Sequence, residues 1–441
     1  MKKRLAAAVV MSAVLTVTAA GCGTGTKPAP ANPAQKTDGE KGGGAGETGG
    51  ELSILAPSDA VNEGTYAIIE AFEQKYNIKV SLELSPNDDV LVSRAATGDL
   101  GDIVDWHSGS LMLNLGPSDN LMDITNEKYV DRINETYLGC VTSDGKIYGV
   151  PTSPTYAGGI FYNKQIYQEL KLEIPKTWDE FLENCRACKA AGYEGLIGTY
   201  GDPWTSQLLL LSDFYYVNKE DPDFASDYTA GKVVLSDSPA YVKSVEKLAS
   251  QKEVFNEDFL STTNDDGWRM MCEGAGGHLV SRTREYVRAL EDYPEAEDFI
   301  GYFAVPGQDE NNMGATIWMP HGYYIAANAK NVENAKLWQE FVTTEEAVKL
   351  YAEKASPMGA FMIKDIDLGD NIRPAIQDTM TYADDGRISA AMEFLCPVKG
   401  TNMQQICVQI GSGEITAEEG VKALHEDNKK SAEQLDLEGW K

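Results

Sequence analysis

Histidines, cysteines, serines and carboxylate pairs are the residues through which this chain could do covalent or metal chemistry, and their spacing argues against most of it. The four histidines stand at 107, 278, 321 and 425. None forms H-E-x-x-H, the spacing that puts two imidazoles and a general base on one helix face. No serine has the G-x-S-x-G surroundings of a nucleophile elbow, and no Walker motif is present to cradle a phosphate. Asn264, Asp266, Gly267 and Glu273 match positions of a calcium loop, but Thr262 occupies the first ligand position, where a carboxylate is required. Gly44, Gly46 and Gly49 spell the dinucleotide fingerprint without a strand before it or a helix after it. Cys185 and Cys188 fall within one helical pattern, where a disulfide is strained and a zinc site lacks its second ligand pair. A glycoside hydrolase built on Asp102 with Asp105 or Asp202 is the enzyme reading that survives. In a chain with 68 acidic residues such pairs arise readily by chance.

The elements that would position these residues alternate along the chain. Residues 52–55 read as a strand, Ile68, Ile69, Phe72 and Tyr76 recur at helical spacing, and residues 78–84 alternate as a second strand. A third strand covers residues 103–106. Strand, helix and strand in that order predict a parallel sheet and an α/β fold. Three helix starts carry the Ser/Thr-x-x-Glu capping box: Thr177 with Glu180, Thr343 with Glu346, and Thr416 with Glu419. Trp178 and Trp338 lie on amphipathic helices and are assigned to packing.

Ahead of this body, Lys2, Lys3 and Arg4 precede an apolar run over residues 5–20, the pattern of an export signal. Ala19-Ala20-Gly21-Cys22 resembles the bacterial lipobox, which implies cleavage before Cys22, lipidation of its thiol and anchoring on the outer face of the membrane. Residues 23–50 have no large apolar side chain to bury and read as a tether spanning about 30 Å. The remaining six cysteines, Cys140, Cys185, Cys188, Cys272, Cys396 and Cys407, read as buried free thiols. A net charge of −30 argues against a nucleic-acid partner.

Four further segments carry a resemblance. Gly98-Asp99-Leu100-Gly101-Asp102-Ile103 is similar to a G-D-x-P-D-[IV] segment, with Gly101 where Pro is usual. Asp144-Gly145-Lys146-Ile147-Tyr148-Gly149-Val150-Pro151 is similar to D-G-K-x-Y-G-[VL]-P, Phe161-Tyr162-Asn163-Lys164 to [LF]-[FY]-Y-N-K, and Pro175-Lys176-Thr177-Trp178-Asp179-Glu180-Phe181 to P-K-T-W-[DE]-E-[FL]. In this order they resemble the extracellular solute-binding proteins of ABC importers, family 1, the sugar-binding group that includes maltose-binding protein. The resemblance implies a two-lobed periplasmic-binding-protein-like fold of class II. Lobe 1 would comprise 51–152 with 306–356, and lobe 2 would comprise 153–305 with 357–441. Chain crossings would fall near 150–154, 305–308 and 356–360, with Gly158 and Gly159 giving local freedom beyond the first.

A sugar is held by aromatic faces against the apolar side of a pyranose and by carboxylates and amides on its hydroxyls, and open α/β sheets present such groups at the carboxyl ends of strands. Ser58 and Asp59 after the first strand, Trp106 and His107 after the third, Asp202 and Trp204 after a Gly-rich turn, and Trp318 and His321 after the second crossing fit that description. Tyr156 beside the first crossing, and His278 and Arg282 after Glu273-Gly274, complete the candidate set. The expectation is a monomeric, lipid-anchored receptor on the outer face of the cell membrane, with no metal or cofactor. It captures a carbohydrate, expected to be an oligosaccharide, and delivers it to an ABC permease by hinge closure. The alternatives are a polyamine or peptide as the solute, and the hydrolase.

Overall fold

Strand β1 (Gly50–Pro57) begins the first sheet and buries Leu52, Ile54, Leu55 and Ala56. The structure is a computed structural model that describes residues 49–307, 313–369 and 372–441. The expected export signal, Cys22 and the tether as far as residue 48 lie outside the described residues. The helix after β1, Glu63–Tyr76, starts where the Asn62 side chain accepts the N–H groups of Gly64 and Thr65, and it stops at Asn77, whose φ of 53° is left-handed. Its Ile68 and Phe72 are buried. It returns the chain to β2 (Ile78–Ser85), parallel to β1 with Leu52 opposite Val80, and β3 (Ile103–Trp106) pairs parallel on the other side.

A short hairpin, β4 (Thr142–Ser143) and β5 (Lys146–Ile147), precedes β6 (Gly149–Pro151). The remaining strands are β7 (Tyr156–Asn163), β8 (His278–Arg282), β9 (Ile300–Phe303), β10 (Ala315–Trp318), β11 (Gly322–Ile325) and β12 (Ile388–Ala390). The first main sheet has the order β2-β1-β3-β11-β6, and the second β12-β10-β7-β8 with β9 also paired to β7. The fold is α/β, and helices pack both sheets. One apolar core surrounds the first sheet and continues onto the second, and a separate core holds Trp178 and Phe181. Trp178 and Trp338 are both buried, as packing residues should be.

The pairing corrects the expected crossings. β10 lies in the second sheet, antiparallel to β7 and parallel to β12, although the expected boundary put residues 315–318 in lobe 1. The second crossing therefore falls between Trp318 and Gly322 and not at 305–308. Likewise, Asn134 N–H donates to the Met362 carbonyl and Lys364 N–H to that of Arg132, which ties residues 362–364 to the first half. The third change of sheet thus comes after 356–360, because the helix Pro374–Asp384 packs on β9. Gly158 and Gly159 sit inside β7, where they supply space, not freedom: an added Cβ would lie 2.6 Å from the Trp318 or Tyr302 ring respectively.

Two of the three capping boxes form as expected, at Thr177 and Thr416. The third moves by one residue: Thr344, not Thr343, caps the helix Glu345–Lys354 and accepts from Ala347 N–H. Thr343 instead closes the preceding helix by donating to the Gln339 and Glu340 carbonyls. All six described cysteines are free and buried. Burial pushes the Cys188 thiol up to about 11 and that of Cys407 to about 12, so neither is a nucleophile at neutral pH.

Asp102, the centre of the first resembling motif, is a structural clamp. Its carboxylate accepts from Ser53 N–H at 2.9 Å, Ser53 Oγ at 2.8 Å, Lys330 N–H and Asn331 N–H at 2.9 Å each, and Asn331 Nδ2 at 3.1 Å. All its acceptor capacity is committed, which removes it from the hydrolase pair. The neighbouring Gly101 has φ +72°, a value the proline ring cannot reach, so the usual Pro does not fit this turn. Burial pushes the Asp102 carboxyl up, but the bonds from Ser53 and Asn331 outweigh it and hold the group below its usual value. Its contribution to stability is therefore full above about pH 4 and is lost as pH falls through the lower folded value. Replacing Asp102 with Ala is expected to cost about 3 kcal/mol, by leaving several donors unpaired, and to lower the urea midpoint at pH 7.

Candidate functional site

The two sheets are joined by crossings at matching ends. β6 ends at Pro151 and β7 begins at Tyr156, while β10 ends at Trp318 and β11 begins at Gly322. Gly322 pairs with Trp106 and Pro151, and Trp318 pairs with Tyr156. The carboxyl ends of β1, β2 and β3 therefore come to one edge of the first sheet, and the ends of β8 and β10 come to the facing edge of the second. Most of the expected residues gather here.

On the first sheet, Ser58 and Asp59 follow β1 and are exposed. His107 follows β3, and His321 closes the crossing before β11. The two imidazoles lie with ring centroids 4.2 Å apart. His107 Nε2 meets Asp88 Oδ2 at 2.9 Å, and His321 Nδ1 meets Asp105 Oδ1 at 2.9 Å. Burial opposes a charge on either ring. At His321 the hydrogen bond and charge of Asp105, with Asp59 and Asp88 nearby, outweigh that burial and raise the imidazole. At His107 burial wins, helped by the charge of His321, and the ring is held below its usual value. Backbone contacts fix the crossing: the His321 carbonyl accepts from Tyr137 Oη at 2.9 Å and Thr152 N–H at 3.1 Å.

On the second sheet, the half-buried Tyr156 stacks on Trp318 at 5.8 Å with the rings 13° from parallel. The Arg282 guanidinium lies 5.6 Å from the Tyr156 centroid and 5.1 Å from that of Trp204, which is also half-buried. Trp318 itself is buried and donates its indole N–H to Glu393 Oε1 at 2.6 Å, while Lys399 Nζ bonds Glu393 Oε2 at 2.7 Å. Asp202 spends one oxygen on Asn264 N–H at 2.7 Å, where it anchors the start of the helix Asn264–Cys272. That helix occupies the stretch that mimicked a calcium loop.

Two expected contacts belong to the interior instead. His278 is 0% exposed; its Nδ1–H donates to the Gly195 carbonyl at 2.6 Å and its Nε2 accepts from Tyr167 Oη at 2.7 Å. Burial, against the pull of that carbonyl, lowers its pKa to about 4, so the ring is neutral and has no nitrogen left for a ligand. Trp106 is 2% exposed and donates its indole N–H to the Leu111 carbonyl, which makes it a floor under His107 and not a platform. Asp88, Glu285, Glu393 and Lys399 were absent from the expected set. Asp88 stands just past the end of β2, so the strand-end rule that found Asp59 could have found it.

The edges can thus offer aromatic faces from one sheet and carboxylate and imidazole groups from the other. The family model for bacterial extracellular solute-binding proteins matches residues 57–349. The chain belongs to that family. This solute-binding protein is 25% identical over 308 residues to the multiple sugar-binding protein of Streptococcus mutans, covering 64% of this chain and 69% of that one. It is 23% identical over 355 residues to the diacetylchitobiose binding protein DasA of Streptomyces coelicolor, covering 76% and 77%. Its fold matches apo RafE from Streptococcus pneumoniae with a TM-score of 0.74 at 20% identity, over 86% of this chain and 97% of that one. A binding protein from Bacillus subtilis in an open conformation gives 0.71 at 16% identity, over 89% and 100%. The solute-binding protein is a receptor and not an enzyme, and among the described residues no helix is long and apolar enough to cross a membrane.

Proposed function

We propose that this protein is the carbohydrate receptor of an ABC importer, anchored outside the cell through a lipidated Cys22. It captures an oligosaccharide between lobes built on its two sheets and hands it to a permease. The observation that carries the sugar reading is that half-exposed aromatic rings, Tyr156 and Trp204, stand at the edge of the second sheet and the polar groups Asp59, His107 and His321 at the facing edge of the first. Rings suit the apolar face of a pyranose, and carboxylates and imidazoles suit its hydroxyls. The names of the multiple sugar-binding and diacetylchitobiose binding relatives support the same class. Contacts from both sheets exist together only in a closed form, so a ligand that makes them shifts the population toward closure.

The exposed Asp59, beside Asp88 and Asp105, favours a second reading in which the solute is a cation such as a polyamine. Titrating the protein with mono- and oligosaccharides, spermidine and short peptides, followed by tryptophan fluorescence, separates these readings. A saturable change with one sugar class, and the sugar recovered at its intact mass, is the expected result. Saturation by spermidine with no response to any sugar would replace the carbohydrate.

A further inference from the structure

Four flat groups stand in one row at the edge of the second sheet: the Trp318 indole, the Tyr156 ring, the Arg282 guanidinium and the Trp204 indole. Trp318 and Tyr156 are held by the sheet, since they face each other across the β10 and β7 ladder. Trp204 is not. It rides on the turn Pro203–Gln207, whose backbone the Thr205 and Ser206 hydroxyls hold by donating to the Thr199 and Gln404 carbonyls, and among the described residues Arg282 is the one charged or aromatic group stacked on the Trp204 ring.

The orientation of that guanidinium is itself fixed. Arg282 Nε–H and Nη2–H both donate to Glu285, at 3.0 and 2.6 Å, a two-point grip along one edge that leaves the flat faces to the rings. Glu285 sits in the first turn of the helix Thr283–Asp292, three residues beyond Arg282 and on rigid backbone. The pair is well enclosed, with side chains 21% and 11% exposed. A lysine at 282 would keep the charge and lose both the plane and the two-point grip.

We infer that Arg282 and Glu285 are positioning residues for the ligand-binding aromatic wall: Glu285 sets the plane of the guanidinium, and the guanidinium sets the angle and rigidity of Trp204. Arg282 thereby acts through Trp204 instead of as a direct donor to the solute. This assignment rests on the carbohydrate reading for its effect on affinity, but its effect on Trp204 is independent of any ligand.

The test uses full-length protein labelled with 5-fluorotryptophan, in which Trp204→Phe identifies the fluorine resonance of position 204. Arg282→Lys and Glu285→Gln should each shift and broaden that resonance without sugar present, in protein that far-ultraviolet circular dichroism shows to be folded. Each should weaken binding of the sugar found by titration about 10-fold, and the double variant should be little worse than either alone, because both act through one element. Glu285→Asp, which keeps a carboxylate in reach, should restore part of the affinity. An unmoved Trp204 resonance in both single variants overturns the inference, as does a double variant that is weaker by the product of the two singles. A moved resonance in a protein that binds no sugar supports the positioning role and overturns the carbohydrate reading instead.

Discussion

Replacing Lys247 with Met should destabilise the protein by about 3–5 kcal/mol, the cost of leaving a buried carboxylate without its counter-ion. Lys247 Nζ bonds both oxygens of Asp213, at 2.7 and 2.9 Å, and the Pro306 carbonyl at 2.8 Å, with the two side chains only 3% and 1% exposed. The ammonium also lies 4.7 Å from the Tyr216 ring centroid. Burial pushes the Asp213 carboxyl up and the Lys247 ammonium down, so each ion depends on the other to stay charged. Removing both charges together, in Asp213→Leu with Lys247→Met, should recover most of the loss, because the desolvation cost disappears with the attraction. Urea denaturation of the parent, the single variant and the double variant measures this directly. A single variant as stable as the parent would mean that the pair does not hold the segment at Pro306.

Trp204→Ala should weaken sugar binding by about 2 kcal/mol, roughly 30-fold, with little change in stability. The ring is half-buried on a turn, so its loss opens no core cavity, whereas its remaining face is the flat apolar surface a pyranose needs. The half-buried Tyr156 would still offer aromatic area, which is why binding should weaken and not vanish. Calorimetric titration of the variant checks the figure. Unchanged affinity in a folded Trp204→Ala protein would remove the residue from the site and shift the wall onto Tyr156 alone.

The elements that read correctly from sequence are those whose pattern is local. β1 to β3 and the intervening helix are marked by short apolar runs, by alternation and by the period of Ile68, Ile69, Phe72 and Tyr76, all within a few positions of one another. The cap at Thr177 is equally local. What failed depends on partners far along the chain. Whether Trp318 belongs to the first or second sheet is decided by its pairing with Tyr156, and nothing within residues 305–321 encodes that choice. Trp106 and His278 have the residue types of ligand contacts, but each sits where a strand end is roofed by another segment, the turn at Leu111 for one and the loop at Gly195 for the other. Glu393 offered no local signal at all. It becomes part of the site only because β12 pairs with β10 and brings it to the Trp318 indole.

The central claim is that the space between the two sheet edges takes a carbohydrate. Thermal unfolding of the protein from Gly49 onward, against a panel of mono- and oligosaccharides with polyamines and amino acids alongside, tests it most directly. A sugar present at about 100 times its dissociation constant should add roughly 2.7 kcal/mol of stability and raise the transition temperature, and Trp204→Ala should diminish that rise at the same concentration. A rise with a polyamine or an amino acid and with no sugar of any length would contradict the claim.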